Sequence, residues 1–239
     1  SSDLLPEVDG RIFAGVASFK AATPRDPQLQ IARQIHAAEP ERIAAIAARI
    51  AGWHRLSALP PAGRRVALVL SPYPGRDDQI AHAVGLDALA SAEAMLADLS
   101  AAGYPIGPEA GLAERLIAAD LRWPAGEYHA ALSRLPRALR DDLATAWGAP
   151  EDDPDCPDGT FRFRALKSRA GLVALQPERG RPKTRGDDYH DLSRVPRHAY
   201  VAFYLWLQTQ ADALVHVGAH GTLEWLPGKA VALSGACWP

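Results

Sequence analysis

The chain has 239 residues, 48% hydrophobic and 23% charged, which excludes a disordered polypeptide and leaves a globular one able to bury a core. A formal net charge of -2 lacks the basic excess of a sequence-independent nucleic-acid binder, so no nucleic-acid partner is expected. No apolar run reaches the roughly 18–20 residues of a membrane span, no secretory leader is expected, and two cysteines, Cys156 and Cys237, are too few for a disulfide framework; the expected location is cytoplasmic.

Residues 1–20 read as an extended segment with Ile12, Phe13 and Val16 apolar. Two helices are predicted next: one on Ile31 and Ile35, four apart, and one after Pro40, where Ile43, Ile46, Ile50, Trp53 and Leu56 draw a single apolar stripe with Trp53 as core. "LPPAG" (Leu59–Gly63) closes that segment. Val66–Leu70 is wholly apolar and predicts a strand buried on both faces. The loop "SPYPGRDDQIAHAVG" and a helix through Leu86, Leu89, Leu96 and Leu99, stopped at Gly103, complete half of a βαβ unit. Tyr128, Leu132, Leu135, Leu139, Leu143 and Trp147 predict one further helical stripe ending at Gly148. The acidic, proline-containing stretch from Ala149 to Gly159 reads as a solvated linker, since its oxygens lack metal-loop spacing. "FRFRAL" alternates like a half-wet strand, "GLVALQP" reads as a buried strand, a helix begins near Pro196, and "ADALVHVG" supplies another strand.

Unusual residues concentrate in the last fifty: Asp187, Asp188, His190 and Asp191, then His198, then His216, His220, Glu224 and Lys229. The four-and-four spacing of His216, His220 and Glu224 would stack metal ligands on one helix face. Gly218, Gly221 and Pro227-Gly228 break such a helix and leave room for about one turn. The spacing is better read as a strand whose carboxyl end carries a glycine loop, the place where open α/β sheets bind ligands. His220 and Glu224 then project into a cleft that Gly218 and Gly221 let a flat ligand approach. Glu224, beside Trp225 and Leu226, has the apolar company that raises a carboxyl pKa and suits proton transfer; a surface carboxylate capping a short turn is the other reading. His216 reads as a ligand or a hydrogen-bonded core histidine, His190-Asp191 as an acid/base or metal pair or as a cap or turn, and Trp225 as a wall for a flat ligand or as packing.

Two motif readings fail. "GTLEWLPGKA" separates its glycines by six residues instead of the four of a phosphate loop and has Ala230 where Ser or Thr must hold magnesium. A Gly-x-Ser-x-Gly hydrolase elbow is also missing.

The stretch "HVGAHGTLEWLPGKAVALSG" resembles the CobN/magnesium chelatase H-subunit family, as do "LPEVDGRI" (Leu5–Ile12), "VALVLSPYPGRDDQIAHAVGLDALAS" (Val66–Ser91), "ALQPERG" (Ala174–Gly180) and "YHDLSRVPRHAYVAFYLWL" (Tyr189–Leu207), in the family's order. The last of these is more like the cobalt branch. The resemblance implies part of the large subunit of an ATP-dependent cobaltochelatase, a ligase forming nitrogen–metal bonds that inserts Co²⁺ into hydrogenobyrinic acid a,c-diamide in cobalamin biosynthesis. It implies a corrin-type tetrapyrrole as substrate and an AAA+ ATPase and accessory subunit as partners, which bring ATP and Mg²⁺; that agrees with the missing phosphate loop. Carried onto this chain, His220 and Glu224 of the H-G-x-x-E motif are the catalytic residues. Glu7, Trp225, Lys229, Gly218 and Gly221 face the substrate, and His220, Glu224, His216, His190 and His198 are the metal-ligand candidates. Family members are several times longer, so the chain is expected to be a piece of one, inactive without the remainder of its full-length chain. Asp78-Gln79 and His82-Ala83 depart from the family's loop. The alternatives are the magnesium branch of the family, acting on protoporphyrin IX, and a non-catalytic scaffold.

The expected fold is α/β, a mostly parallel sheet flanked by helices with Rossmann-like elements. The expected segments are 1–63 with a helical pair, 64–148 with a βα unit and helices, and 149–239 with the H-G-x-x-E motif, or one continuous domain.

Overall fold

The computed structural model describes residues 10–71, 82–83, 85–107, 110–168, 171–180, 191–218, 223–229 and 233–238. It divides into two units, Ser1–Ala58 with Lys229–Ser234, and Leu59–Gly228 with Gly235–Pro239.

In the first unit β1 (Ser18–Ala22) and β2 (Gln34–Ala38) form an antiparallel hairpin. The Asp26 carboxylate accepts from the N–H groups of Gln28 and Leu29, 2.8 Å each, and turns the connecting loop. Helix α1 (Pro40–Ala58) follows, with Glu41 in its first turn and Arg55 in its last complementing the helix dipole. The helix expected on Ile31 and Ile35 is a strand and its loop instead. Ile35 pairs with Ala21, and a partner strand outweighs two residues at helical spacing. The apolar stripe of α1 forms as expected, yet the helix has no buried residue and Trp53 is 39% exposed. A single helix and a two-stranded hairpin enclose too little volume to bury an indole.

The second unit runs β3 (Val66–Leu70), β4 (His82–Ala83), β5 (Leu86–Asp87), α2 (Ala88–Ala101), α3 (Leu112–Ala118), β6 (Leu121–Pro124), α4 (Ala125–Leu132), α5 (Arg137–Trp147), β7 (Thr160–Phe163), β8 (Ala165–Lys167), β9 (Gly171–Leu175), α6 (His198–Gln210) and β10 (Ala213–Val217). Its main sheet has the order β10-β3-β9-β8. β10, β3 and β9 are parallel, and β8 lies antiparallel on β9. β4–β5 and β6–β7 are antiparallel pairs. The fold is therefore mixed α/β: among the described residues the main sheet has three parallel strands and an antiparallel edge strand, β8, and the two-stranded pairs are antiparallel. Connection length sets the direction of β8: from Lys167 to Gly171 the chain has room for a turn but not for the helical crossover that parallel pairing needs.

Period-two alternation sends β3 to two cores. Val66, Leu68 and Leu70 join Val173, Leu175 and Val217 under α2 and α3, while Ala67 and Val69 join Leu172 and Ala174 against α6, α4 and α5. The all-apolar sequence of β3 thus reports helices on both faces of the sheet, as expected from its composition.

Two further expectations change. The single stripe from Tyr128 to Trp147 is two helices, because Pro136 has no N–H to continue α4 and restricts Leu135; α5 starts just after it and ends at Gly148, φ 77°. The acidic stretch after Gly148 is not a solvated linker. Asp153 is 8% exposed, and it accepts 2.6 Å and 2.9 Å hydrogen bonds from Arg197 Nη1 and the Ala199 N–H. Helix α6 has no side-chain cap of its own, so the orphan donor of its first turn is satisfied from this distant loop.

Candidate functional site

Three parallel strands deliver their carboxyl ends to one edge of the main sheet. β3 runs into Ser71, β9 into Gln176 and β10 into Gly218. The ladder continues one residue past the strands, with Ser71 N–H donating to Val217 O at 3.2 Å and Gln176 N–H to Leu70 O at 3.0 Å. Ser71 and Gln176 are both buried there, and Ser71 Oγ has no hydrogen-bond partner among the described residues. A buried hydroxyl without a partner is uncommon in a folded protein and marks a polar contact left for something else to make.

His216 reaches this edge because of strand alternation. Val215 and Val217 face the α2–α3 core, so His216 faces α6. There the Tyr204 hydroxyl donates to Gln176 Oε1 at 2.7 Å and lies 2.9 Å from His216 Nε2, with the two rings edge-to-face. At the start of α6, Arg197 donates to Glu178 O at 2.9 Å through Nε and to Arg179 O at 3.0 Å through its backbone N–H. Arg179, 5% exposed, donates in turn to the carbonyl of Trp225. Two buried arginines therefore tie the 3₁₀ turn Leu223–Trp225 to the end of β9.

Some of the residues singled out in the sequence meet at this edge and others do not. His216 meets Tyr204, Trp225 is held by Arg179, and Gly218 forms the bend after β10. The His198 ring is turned into the core, 2% exposed, with Nδ1 2.8 Å from the Tyr128 hydroxyl and Nε2 3.1 Å from Gly148 O. Both of its nitrogens are occupied inside the core, which leaves neither for a metal. Lys229 is exposed and falls in the first unit. Glu7, His190, His220, Gly221 and the Glu224 side chain lie outside the described residues, as does Asp78-Gln79. Among the described residues no group of three His, Cys, Asp or Glu is placed to hold a metal ion. Burial pushes the Cys156 thiol up to about 11, so it stays protonated at neutral pH and is a poor metal ligand.

Sequence reasoning missed Gln176, Arg179, Arg197 and Tyr204 as site-building residues. The available signal was their position inside "ALQPERG" and "YHDLSRVPRHAYVAFYLWL", two of the stretches that carried the family resemblance. A cavity of about 160 Å³ lined by Arg65, Lys167, Ser168 and Gln210 lies at the opposite edge, at the amino ends of β3 and β9. Its charges are already engaged, Arg65 by Asp212 and Lys167 by Gln210, both at 2.7 Å.

The chain as a whole is similar to known proteins. The family model described as CobN/Magnesium Chelatase matches residues 2–239. The aerobic cobaltochelatase subunit CobN of Pseudomonas aeruginosa is 40% identical over 98% of this chain and 20% of its own length. The magnesium-chelatase H subunit of Rhodobacter capsulatus is 30% identical over 98% of this chain and 21% of its own. The solved catalytic subunit of cobaltochelatase from Mycobacterium tuberculosis superposes with a TM-score of 0.78 at 36% identity, over 97% of this chain and 21% of that one. The chain thus spans about a fifth of the length of the relatives it matches.

Proposed function

This chain belongs to the CobN/magnesium chelatase family, and from that premise we propose that it forms part of the tetrapyrrole-binding subunit of an ATP-dependent cobaltochelatase. In this reading the ring of hydrogenobyrinic acid a,c-diamide sits over the carboxyl edge of the main sheet and Co²⁺ is the metal inserted. The observation that carries the reading is the stronger likeness to a cobaltochelatase subunit than to a magnesium-chelatase one along nearly the whole chain. The polar edge formed by Ser71, Gln176 and His216 supports it.

Insertion has two demands: the ion must shed water, and ring N–H protons must leave as cobalt–nitrogen bonds form. An imidazole or carboxylate held near neutral pH accepts such protons, and both are ligands a borderline divalent ion can bind and release. His220 and Glu224 take those roles here, with His216 as a further ligand and Trp225 against the flat ring. Arg179 donates to the carbonyl of Trp225, the residue that follows Glu224 in the chain. ATP hydrolysis belongs to AAA+ partner subunits working with Mg²⁺, and the cell compartment is the cytoplasm. Among the described residues no helix is long and apolar enough to cross a membrane.

The test uses the full-length protein assembled with its ATPase subunits and given Co²⁺, ATP and the corrin substrate. Glu224→Gln and His220→Ala should each lower cobalt insertion by about 10²-fold or more while the assembly still forms. Wild-type activity on protoporphyrin and Mg²⁺, with none on cobalt, would move the protein to the magnesium branch.

A further inference from the structure

The main sheet has a topological switch point at its carboxyl edge. After β3 the chain goes to α2, on the face where Val66, Leu68 and Leu70 are buried; after β9 it goes to α6, on the face of Leu172 and Ala174. Connections that part to opposite faces open a crevice between the carboxyl ends of adjacent strands, the usual ligand position in open α/β sheets. Here those neighbours are β3 and β9. Ser71 and Gln176 directly follow them, one step past the Leu70–Leu175 pair of the register. Leu70 and Leu175 belong to the α2–α3 core, so alternation puts the next side chains on the α6 face, where Tyr204 anchors Gln176 through Oε1. Two strands without a polar side chain thus end on two polar residues, 6% and 4% exposed.

Ser71 Oγ is enclosed and has no hydrogen-bond partner among the described residues. A hydroxyl donates once and accepts twice, so this one has its whole capacity unspent. The contact of Gln176 with Tyr204 is made by the amide oxygen and leaves the N–H₂ group, which only donates, outside that bond. We propose that Ser71 and Gln176 form a subsite for a carboxamide arm on the rim of the tetrapyrrole, Ser71 accepting from its N–H and Gln176 donating to its carbonyl, and so select an amidated corrin over the free acid. A carboxamide offers both a donor and an acceptor, as this pair does. An ionised carboxylate only accepts, and beside two neutral side chains it gives up hydration without gaining a counter-charge. The buried Arg197 guanidinium is already matched by Asp153 and Asp155, and Arg179 donates to the Trp225 carbonyl. The proposal rests on the chelatase reading for the ring that carries the arm; the switch point and the unpartnered hydroxyl are observed without it.

Ser71→Ala separates a ligand contact from a structural one. In the ligand-free full-length protein, losing a hydroxyl that has no partner should leave the melting temperature unchanged or raise it. In the assembly with ATPase subunits, Co²⁺ and ATP, the same change should raise KM for the a,c-diamide about 10-fold. Its kcat should stay the same, because an arm remote from the ring nitrogens is held equally in the ground and transition states. The corrin with both groups left as free acids should keep its wild-type KM, so the preference for the diamide falls by that factor. Gln176→Glu keeps an acceptor for Tyr204 but removes the amide donors, and should erode the same preference. A melting temperature lowered by Ser71→Ala with KM unchanged would mean that the hydroxyl is satisfied within the protein, and overturns the proposal. An unaltered KM, or one raised equally for both corrins, overturns it too. A wild-type assembly that binds and metallates neither corrin would remove the chelatase reading itself, a result distinct from an active wild type whose preference ignores Ser71→Ala.

Discussion

His198 illustrates how a buried histidine couples stability to acidity. Burial lowers its pKa below the ordinary 6.5, outweighing the Gly148 carbonyl and the nearby Asp153 and Glu151, which favour the charged ring. The folded protein therefore holds the neutral imidazole, while the unfolded chain takes up a proton below pH 6.5. Stability contributed by this residue is complete above that pH and declines as pH falls toward the lowered folded value. Thermal melts between pH 7.5 and 5 should show this loss, and His198→Gln should flatten the slope over that window; a slope unchanged by the substitution would assign the loss to other groups. The Tyr128 hydroxyl, whose own pKa burial raises, stays protonated throughout and remains available to the ring. The same residue scale explains Arg197. With its side chain almost fully enclosed, it is held in place by Asp153 and Asp155, since a buried guanidinium without a carboxylate is expensive.

Among the elements, β9 is the one with least tolerance. Its first residue, Gly171, packs so closely that an added Cβ would come within 2.8 Å of Ile106 Cγ1 and 2.9 Å of Ile106 Cδ1. Ile106 is itself buried in the α2–α3 core, so it has little room to yield. Gly171→Ala should destabilise the protein by about 1–3 kcal/mol, read as a lower urea midpoint with an unchanged m-value. Because β9 is central in the sheet, this loss should reach the carboxyl edge and the Gln176 anchor. Helix α5 ends on a different glycine constraint. Gly148 has φ 77° and its Cβ would meet Asp152 at 3.2 Å, while its carbonyl is an acceptor for His198. A turn glycine here serves both helix termination and the placing of a core histidine.

At the scale of the molecule, the two units differ in how they are stabilised. The second encloses two apolar cores on either face of its sheet, and every residue of β3 and β9 is buried. The first has a hairpin and a helix without a buried residue. Amide protection follows enclosed backbone. Hydrogen exchange should therefore be fast through α1 and slowest in β3 and β9, with protection in the second unit tracking its global stability. Equal protection of α1 and β3 would contradict this division.

Local chemistry and pattern were legible from the residues alone. The all-apolar Val66–Leu70 specified a doubly covered strand, Pro40 and "LPPAG" bracketed α1, Gly103 and Gly148 stopped their helices, and the long C-terminal motif carried the family. Those signals act over a few residues or lie within one uninterrupted stretch of sequence. Other features arose only when distant segments met. Ile35 became a strand because Ala21 lay opposite it, Asp153 became a helix cap because Ala199 came to it, and Trp53 stayed exposed because its unit is too small to bury it. Tyr204 became a partner of His216 because alternation in β10 turned the imidazole toward α6. Each of these depends on groups far apart in the chain coming together in space, and neither the spacing nor the composition of one segment contains that information.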